Sequence, residues 1–362
     1  MVGTYLSTLP ARGQTAPPKQ HTAIPNVTVL AENFALPQLQ RTRRVWVYLP
    51  TDYATTACRY PVLYLQDGQN VFDDYTSFAG EWGVDETLSQ LQAQHKDRGC
   101  IVVAVDNGED HRLNEYSPWR NPKYGGGEGE QYAQFLVETL KPYIDAHYRT
   151  LSGRGYTGIA GSSMGALISV YAALRYPQAY SKVGVFSPAF WFARDSLASY
   201  IRQAKPRLPT RFYFVAGETE SPTMVPYMAD VRNLLRETGS AATDLDYATR
   251  ADGKHAEWFW RREFSAAYQW LYRPADVVGT PVAVPPLRYG AYLTPDQQRL
   301  TVQLPPDVRK ARLRIEDATG HPVLTKKVRD GAAVAVRALP PGEYTLFVDA
   351  GKFGTGQQLL YK

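Results

Sequence analysis

Residues 157–176 read TGIAGSSMGALISVYAALRY. An apolar run of strand length meets an apolar run of helix length, and between them stands Gly161-Ser162-Ser163-Met164-Gly165, a G-x-S-x-G pentapeptide. A serine presented from so tight a turn has neighbours, two before and two after, that cannot carry side chains, which is why both are glycine. The following helix would aim its N-terminal dipole and free N–H groups at negative charge developing beside that serine. Ser163 is therefore the candidate nucleophile, and Ser162 is read as a turn hydroxyl facing away.

On either side, from residue 27 to 272, short strand-like runs alternate with longer amphipathic stretches. The strand candidates are VTVLAENF, RRVWVYLP, PVLYLQDG, CIVVAVDN, TGIAGSS, KVGVFSP, RFYFVAGE and DLDYATR. Helix candidates lie near 84–95, 130–147, 163–175, 223–238 and 256–272. This alternation predicts an α/β protein with the α/β-hydrolase architecture: a doubly wound, mostly parallel, eight-stranded sheet over residues 27–273. Residues 1–26 form an N-terminal extension, and 274–290 (PADVVGTPVAVPPLRYG) a Pro/Gly-rich linker. Beyond it, LTVQLP, ARLRIED, PVLTKKV, AAVAVRAL and EYTLFVD alternate between Asp/Gly/Pro turns and predict a small β-sandwich over 291–362.

The 40 Lys and Arg against 35 Asp and Glu leave a net charge of +5. No run of like charge resembles a nucleic-acid arm, since Arg41-Thr-Arg-Arg44 leads straight into a strand. No stretch of 18 apolar residues is present, so no membrane span is expected. The N-terminal MVGTYLSTLPARGQTAPPKQ lacks the basic start and apolar centre of a signal peptide, while RGQTAPP resembles the stretch after a cleavage site; this reads as a mature form or a mis-set start. Two cysteines cannot make a disulfide framework or a metal site. Cys58 and Cys100 each precede an apolar run; on adjacent parallel strands they could bridge in an oxidising compartment, and two unpaired thiols is the alternative.

A serine hydroxyl needs a base within reach, and histidine has the suitable pKa. Of six histidines, His21 lies in the N-terminal tail, His321 in the β-module, and His95 and His147 at helix ends. His111 precedes the serine and is at most a substrate-loop residue. His255, in a loop between the last strand and the last long helix, alone fits the chain order serine, acid, histidine of this fold. The acid belongs in the turn after RFYFVAG, where both Glu218 and Glu220 are available and periodicity does not choose between them.

Taken together, YLQDGQNVFD, EWGVDETL, VDNGEDHRLNEYSP, LKPYIDAHYRT, GIAGSSMG, FSPAFWF, VAGETES and DGKHAEWFW resemble the putative esterase family of α/β hydrolases over about residues 30–272. That family includes feruloyl and acetyl-xylan esterases, siderophore esterases and the esterase D group. The resemblance implies a serine ester hydrolase that works through an acyl-enzyme and needs no metal or organic cofactor. It assigns the acid to Glu220, three residues after Gly217, and the oxyanion donors to the backbone N–H groups of Gln69 and Met164. Trp82 resembles a pocket-lining position, with core packing an equal reading. Acetyl or feruloyl groups on carbohydrate, small aliphatic esters and siderophore trilactones are the substrate candidates; a catalytically silent binding scaffold is the alternative of another class. The C-terminal module resembles the sorting domains of type IX secretion, departing from them at YLTPD where an Asn-Pro pair is usual. It implies a secreted or cell-surface protein that meets secretion machinery, with a cytoplasmic one as the alternative.

Overall fold

The computed structural model describes residues 19–206, 208–273, 290–293, 299–304, 309–317, 321–340, 343–349 and 355–361. Most of the extension and all of the linker but Gly290 therefore lie outside the described residues.

One eight-stranded sheet organises the chain as far as residue 271. Its strands are β1 (Val27–Leu36), β2 (Arg41–Tyr48), β3 (Val62–Gln66), β4 (Ile101–Val105), β5 (Thr157–Ser162), β6 (Lys182–Phe186), β7 (Arg211–Gly217) and β8 (Leu245–Arg250), in spatial order β1-β2-β4-β3-β5-β6-β7-β8. β2 is antiparallel to β1 and β4, and the other neighbours are parallel. The parallel strands β3 to β6 are buried throughout, as strands covered on both faces must be. Edge strands β1 and β8 carry exposed or half-exposed positions instead.

Side chains alternate between the two faces. Val62 and Tyr64 of β3 join one apolar cluster, Leu63 and Leu65 the other. On the first face lie α3 (Gly129–Phe135), α4 (Lys141–His147), α5 (Met164–Arg175), α6 (Arg194–Ala204) and α7 (Met224–Glu237); on the second lie α1 (Val84–Ala93) and α8 (Glu257–Leu271). α2 is the single turn Arg112–Glu115. The stretch expected as one helix at 130–147 is interrupted by a π-helical turn at Leu136–Leu140, just before Pro142, whose missing N–H and bulky ring a regular α-helix would not accommodate.

After the linker, β9 (Gly290–Leu293), β10 (Arg299–Gln303) and β13 (Ala333–Ala335) form one antiparallel sheet. β11 (Ala311–Asp317), β12 (Pro322–Val328), β14 (Glu343–Asp349) and β15 (Thr355–Tyr361) form a second. Leu300 and Val302 of the first pack with Leu313, Ile315, Leu346 and Val348 of the second, giving the expected sandwich a core of its own.

The two cysteines are free thiols, Cys58 exposed and Cys100 buried. β3 and β4 are indeed adjacent and parallel, but their register sets Val62 beside Ile101. Cys100 therefore stands level with Pro61, three residues past Cys58, and its thiol donates to the Pro61 carbonyl at 3.4 Å.

Candidate active site

The carboxyl ends of β3, β4, β5 and β7 converge on one edge of the sheet, where ligands bind in open α/β folds. Ser163 stands between β5 and α5 with φ 56° and ψ −120°, a conformation costly for any residue with a Cβ. It is held there by its own backbone, whose N–H donates to the Phe186 carbonyl (2.9 Å) and whose carbonyl accepts the Ala189 N–H (3.0 Å). A Cβ on Gly161 would come within 2.8 Å of the Gly165 carbonyl carbon, and one on Gly165 within 3.0 Å of the Gln66 Cβ. The two glycines thus let the turn close on itself and against the end of β3.

Glu220 and His255 are brought together. His255 Nδ1 donates to Glu220 Oε2 at 2.7 Å, while Glu220 Oε1 accepts the Gly217 N–H (2.6 Å) and the Ser187 hydroxyl (2.7 Å). The Glu220 side chain is 1% exposed and that of His255 41%. Beneath the pair, Ser187 Oγ accepts the indole N–H of Trp260 (2.9 Å), and the Trp260 ring meets the imidazole edge-on at 5.2 Å. Glu218 is exposed and accepts a hydrogen bond from Thr249 instead (2.7 Å). Of the two glutamates left open by spacing, the geometry couples Glu220 to the histidine. Binding Nδ1 to the carboxylate turns Nε2 outward.

Ser163 and His255 line the same cleft, of about 850 Å³. No hydrogen bond joins them among the described residues; such contacts commonly tighten only with substrate in place.

Gln69 follows Asp67-Gly68, where Asp67 takes φ 58° and a Cβ on Gly68 would come within 2.8 Å of the Val105 carbonyl carbon. The Asp67 carboxylate accepts two hydrogen bonds from Arg112 (2.6 and 2.9 Å) and one from Asn107 (2.7 Å). Burial works against the Arg112 charge, but the paired carboxylate outweighs it and raises the guanidinium pKa. The Gln69 side-chain oxygen accepts the Asn107 N–H at 3.1 Å, fixing the turn from its other side. Met164 is the first residue of α5, a position whose N–H has no intrahelical acceptor.

Trp82, for which pocket lining and core packing are equal readings of the sequence, is not among the residues that line the cleft. It is 4% exposed, packs against Phe186, Trp260 and Phe264, and belongs to the core beneath α8. His111 is exposed and outside the cleft lining, which its neighbour Arg112 joins. The sequence also gave no pointer to Phe78, Asn107, Glu257 or Trp260 as cleft residues. The only available signal was that all but Phe78 lie within the family-like motifs. Burial raises the Glu257 pKa and that of Asp106, the latter despite its bond to Arg44 (2.8 Å).

Fold and site together define a class: an α/β hydrolase with a serine on a strand-to-helix turn and a His–Glu pair at the rim of its cleft. The profile of the putative esterase family matches residues 37–271, and the chain belongs to that family of ester hydrolases. It is 25% identical over 242 residues to the uncharacterised protein YbbA of Bacillus subtilis, covering 64% of this chain and 92% of that one. It is 26% identical over 235 residues to an endo-1,4-β-xylanase/feruloyl esterase of Xylanibacter ruminicola, covering 63% of this chain and 29% of the relative. The enterobactin esterase of Shigella flexneri superposes with a TM-score of 0.57 at 19% identity, over 71% of this chain and 61% of that one.

Proposed function

We propose that the chain is a serine carboxylic-ester hydrolase in which Ser163 attacks the ester carbonyl, His255 takes the proton and returns it to the leaving alcohol, and Glu220 holds the imidazole. The Gln69 and Met164 N–H groups stabilise the tetrahedral oxyanion. Water then attacks the acyl-serine with His255 again as base, releasing the acid and restoring the serine. The observation that carries this reading is the 2.7 Å His255–Glu220 bond, whose carboxylate is buried, beside a serine in a strained turn.

Small acyl esters and acetyl or feruloyl esters on carbohydrate are the proposed substrates. Both cleft arginines are occupied, Arg112 by Asp67 and Arg44 by Asp106, and Glu109 and Glu257 add further acid to the lining. Such a lining favours an uncharged ester over a multiply anionic siderophore. The C-terminal module is proposed to carry the enzyme to the cell surface or beyond; among the described residues no helix is long and apolar enough to cross a membrane.

A fluorophosphonate probe should label the wild-type chain at Ser163, and an ester panel should show turnover of acetyl or feruloyl esters. A folded chain that takes no label and hydrolyses none of them would instead be a binding scaffold.

A further inference from the structure

Lys19–Ile24 runs across the outside of the segment Asp73–Asp85, and its contacts reach both exposed backbone groups and three buried acidic side chains of that segment. Lys19 Nζ donates to the carbonyls of Asp74 (3.1 Å) and Ser77 (2.6 Å). His21 Nδ1 lies 2.7 Å from Asp73 Oδ2, and the Thr22 N–H donates to Asp73 Oδ1 at 3.0 Å. The Thr22 hydroxyl donates to Glu81 (2.9 Å) and accepts the Asp74 N–H (2.8 Å), and the Ile24 N–H donates to Asp85 (3.0 Å). Asp73, Glu81 and Asp85 are 3%, 5% and 0% exposed, so these bonds supply donors to acidic side chains that water does not reach.

Between those anchors, Thr76, Ser77, Phe78 and Ala79 form a wall of the cleft. Phe78 is 89% exposed there, its N–H donating to the Asn70 side chain (3.0 Å), and the Thr76 hydroxyl donates to the Gln69 carbonyl (2.8 Å). This wall has no strand or helix of its own to hold it. One side is fastened to the turn bearing Gln69, the other to the N-terminal segment.

Resting on the esterase reading, we propose that Lys19–Ile24 is a positioning strap for the substrate cleft, and that the wall it sets presents Phe78 as the specificity-determining contact for the bulkier part of the ester. A bare phenyl ring on a cleft wall is covered favourably by an apolar or aromatic group of the substrate.

The test uses full-length chains carrying Thr22→Ala, Thr22→Ser or Phe78→Ala, with methyl ferulate and vinyl acetate as probes. Thr22→Ala should raise KM for methyl ferulate by about tenfold, the size expected for losing hydrogen bonds to a charged group, with kcat and the vinyl acetate kinetics within about twofold. Thr22→Ser should restore wild-type KM, Phe78→Ala should raise KM for methyl ferulate, and amide exchange should quicken at residues 74–79 only in Thr22→Ala. Unchanged KM and unchanged exchange in Thr22→Ala would overturn the strap. So would an equal loss of kcat on both esters that Thr22→Ser does not rescue, because it would mark a merely structural residue. A wild-type chain inactive on both esters and unlabelled by fluorophosphonate would sink the esterase reading, while the exchange measurement would still decide the strap.

Discussion

At the scale of single residues, two kinds of fixing meet in the site. Ser163 is fixed by backbone bonds that hold a strained φ, and Glu220 by side-chain and main-chain donors that leave one oxygen for His255. Groups that act as a unit fail together, so Ser163→Ala and His255→Ala should each lower ester turnover by at least about three orders of magnitude, with unfolding curves close to wild type. Replacing Glu220 by Gln keeps the shape but removes the charge that stabilises the imidazolium. Turnover should fall by about two to four orders of magnitude, against less than about tenfold for Glu218→Gln, whose side chain faces Thr249 and solvent. Steady-state kinetics on a single small ester check both rankings. Ser163 and His255 were legible because a turn dictates its glycines and the fold dictates chain order. Ser187 and Trp260 were not, because their bond spans 73 positions and no local pattern encodes it.

Elements carry the next level of constraint. The end of β7 and the loop before α8 touch through bare backbone: a Cβ on Gly217 would fall on the Gly253 carbonyl, and one on Gly253 would come within 2.6 Å of the Gly217 Cα. This contact sets the distance between the glutamate turn and the histidine loop. Gly217→Ala should therefore lower kcat by about a hundredfold or more while fluorophosphonate labelling slows in parallel, because a misplacement of about 1 Å is enough.

In α1, burial lifts the Asp85 pKa to about 8, and one of its oxygens has no partner. The unfolded chain releases that proton near pH 4, so between about pH 4 and 8 the folded chain holds a proton that the unfolded chain has lost. Stability from this group is complete below that window and is lost as pH rises through it. Asp85→Asn keeps an acceptor for the Ile24 N–H and carries no titrating proton. The Tm of the variant minus that of wild type should grow from pH 5 to pH 8.5, and a difference independent of pH would show that Asp85 is ionised when folded. The eight strands were readable from composition and period. α6 was not, because FSPAFWFARDSLASYI shows its helical face only through Leu197 and Ile201, and the aromatic run before it reads as a loop.

Across the whole molecule, the apolar core divides by sequence. The two clusters flanking the large sheet draw on residues up to Tyr272, and the sandwich cluster is built from residues 300–348. Every side chain proposed for chemistry lies in the first part, as does every described residue of the cleft and the strap. α8 closes the second face of the sheet with Phe259, Trp260, Phe264 and Tyr268, and the Tyr272 hydroxyl donates to the Val62 carbonyl at 2.8 Å, so the hydrolase core is complete at that point. A chain stopped after Ala275 should then fold, show kcat and KM within about twofold of full length, and keep its Tm, because among the described residues the two apolar clusters of the hydrolase draw on nothing beyond Tyr272. The same truncation should abolish any export that depends on the C-terminal module, which cell fractionation reads separately from activity. Insoluble or inactive truncated protein would mean that the sandwich packs on the hydrolase as part of one core, and the module would then be a structural component rather than an address.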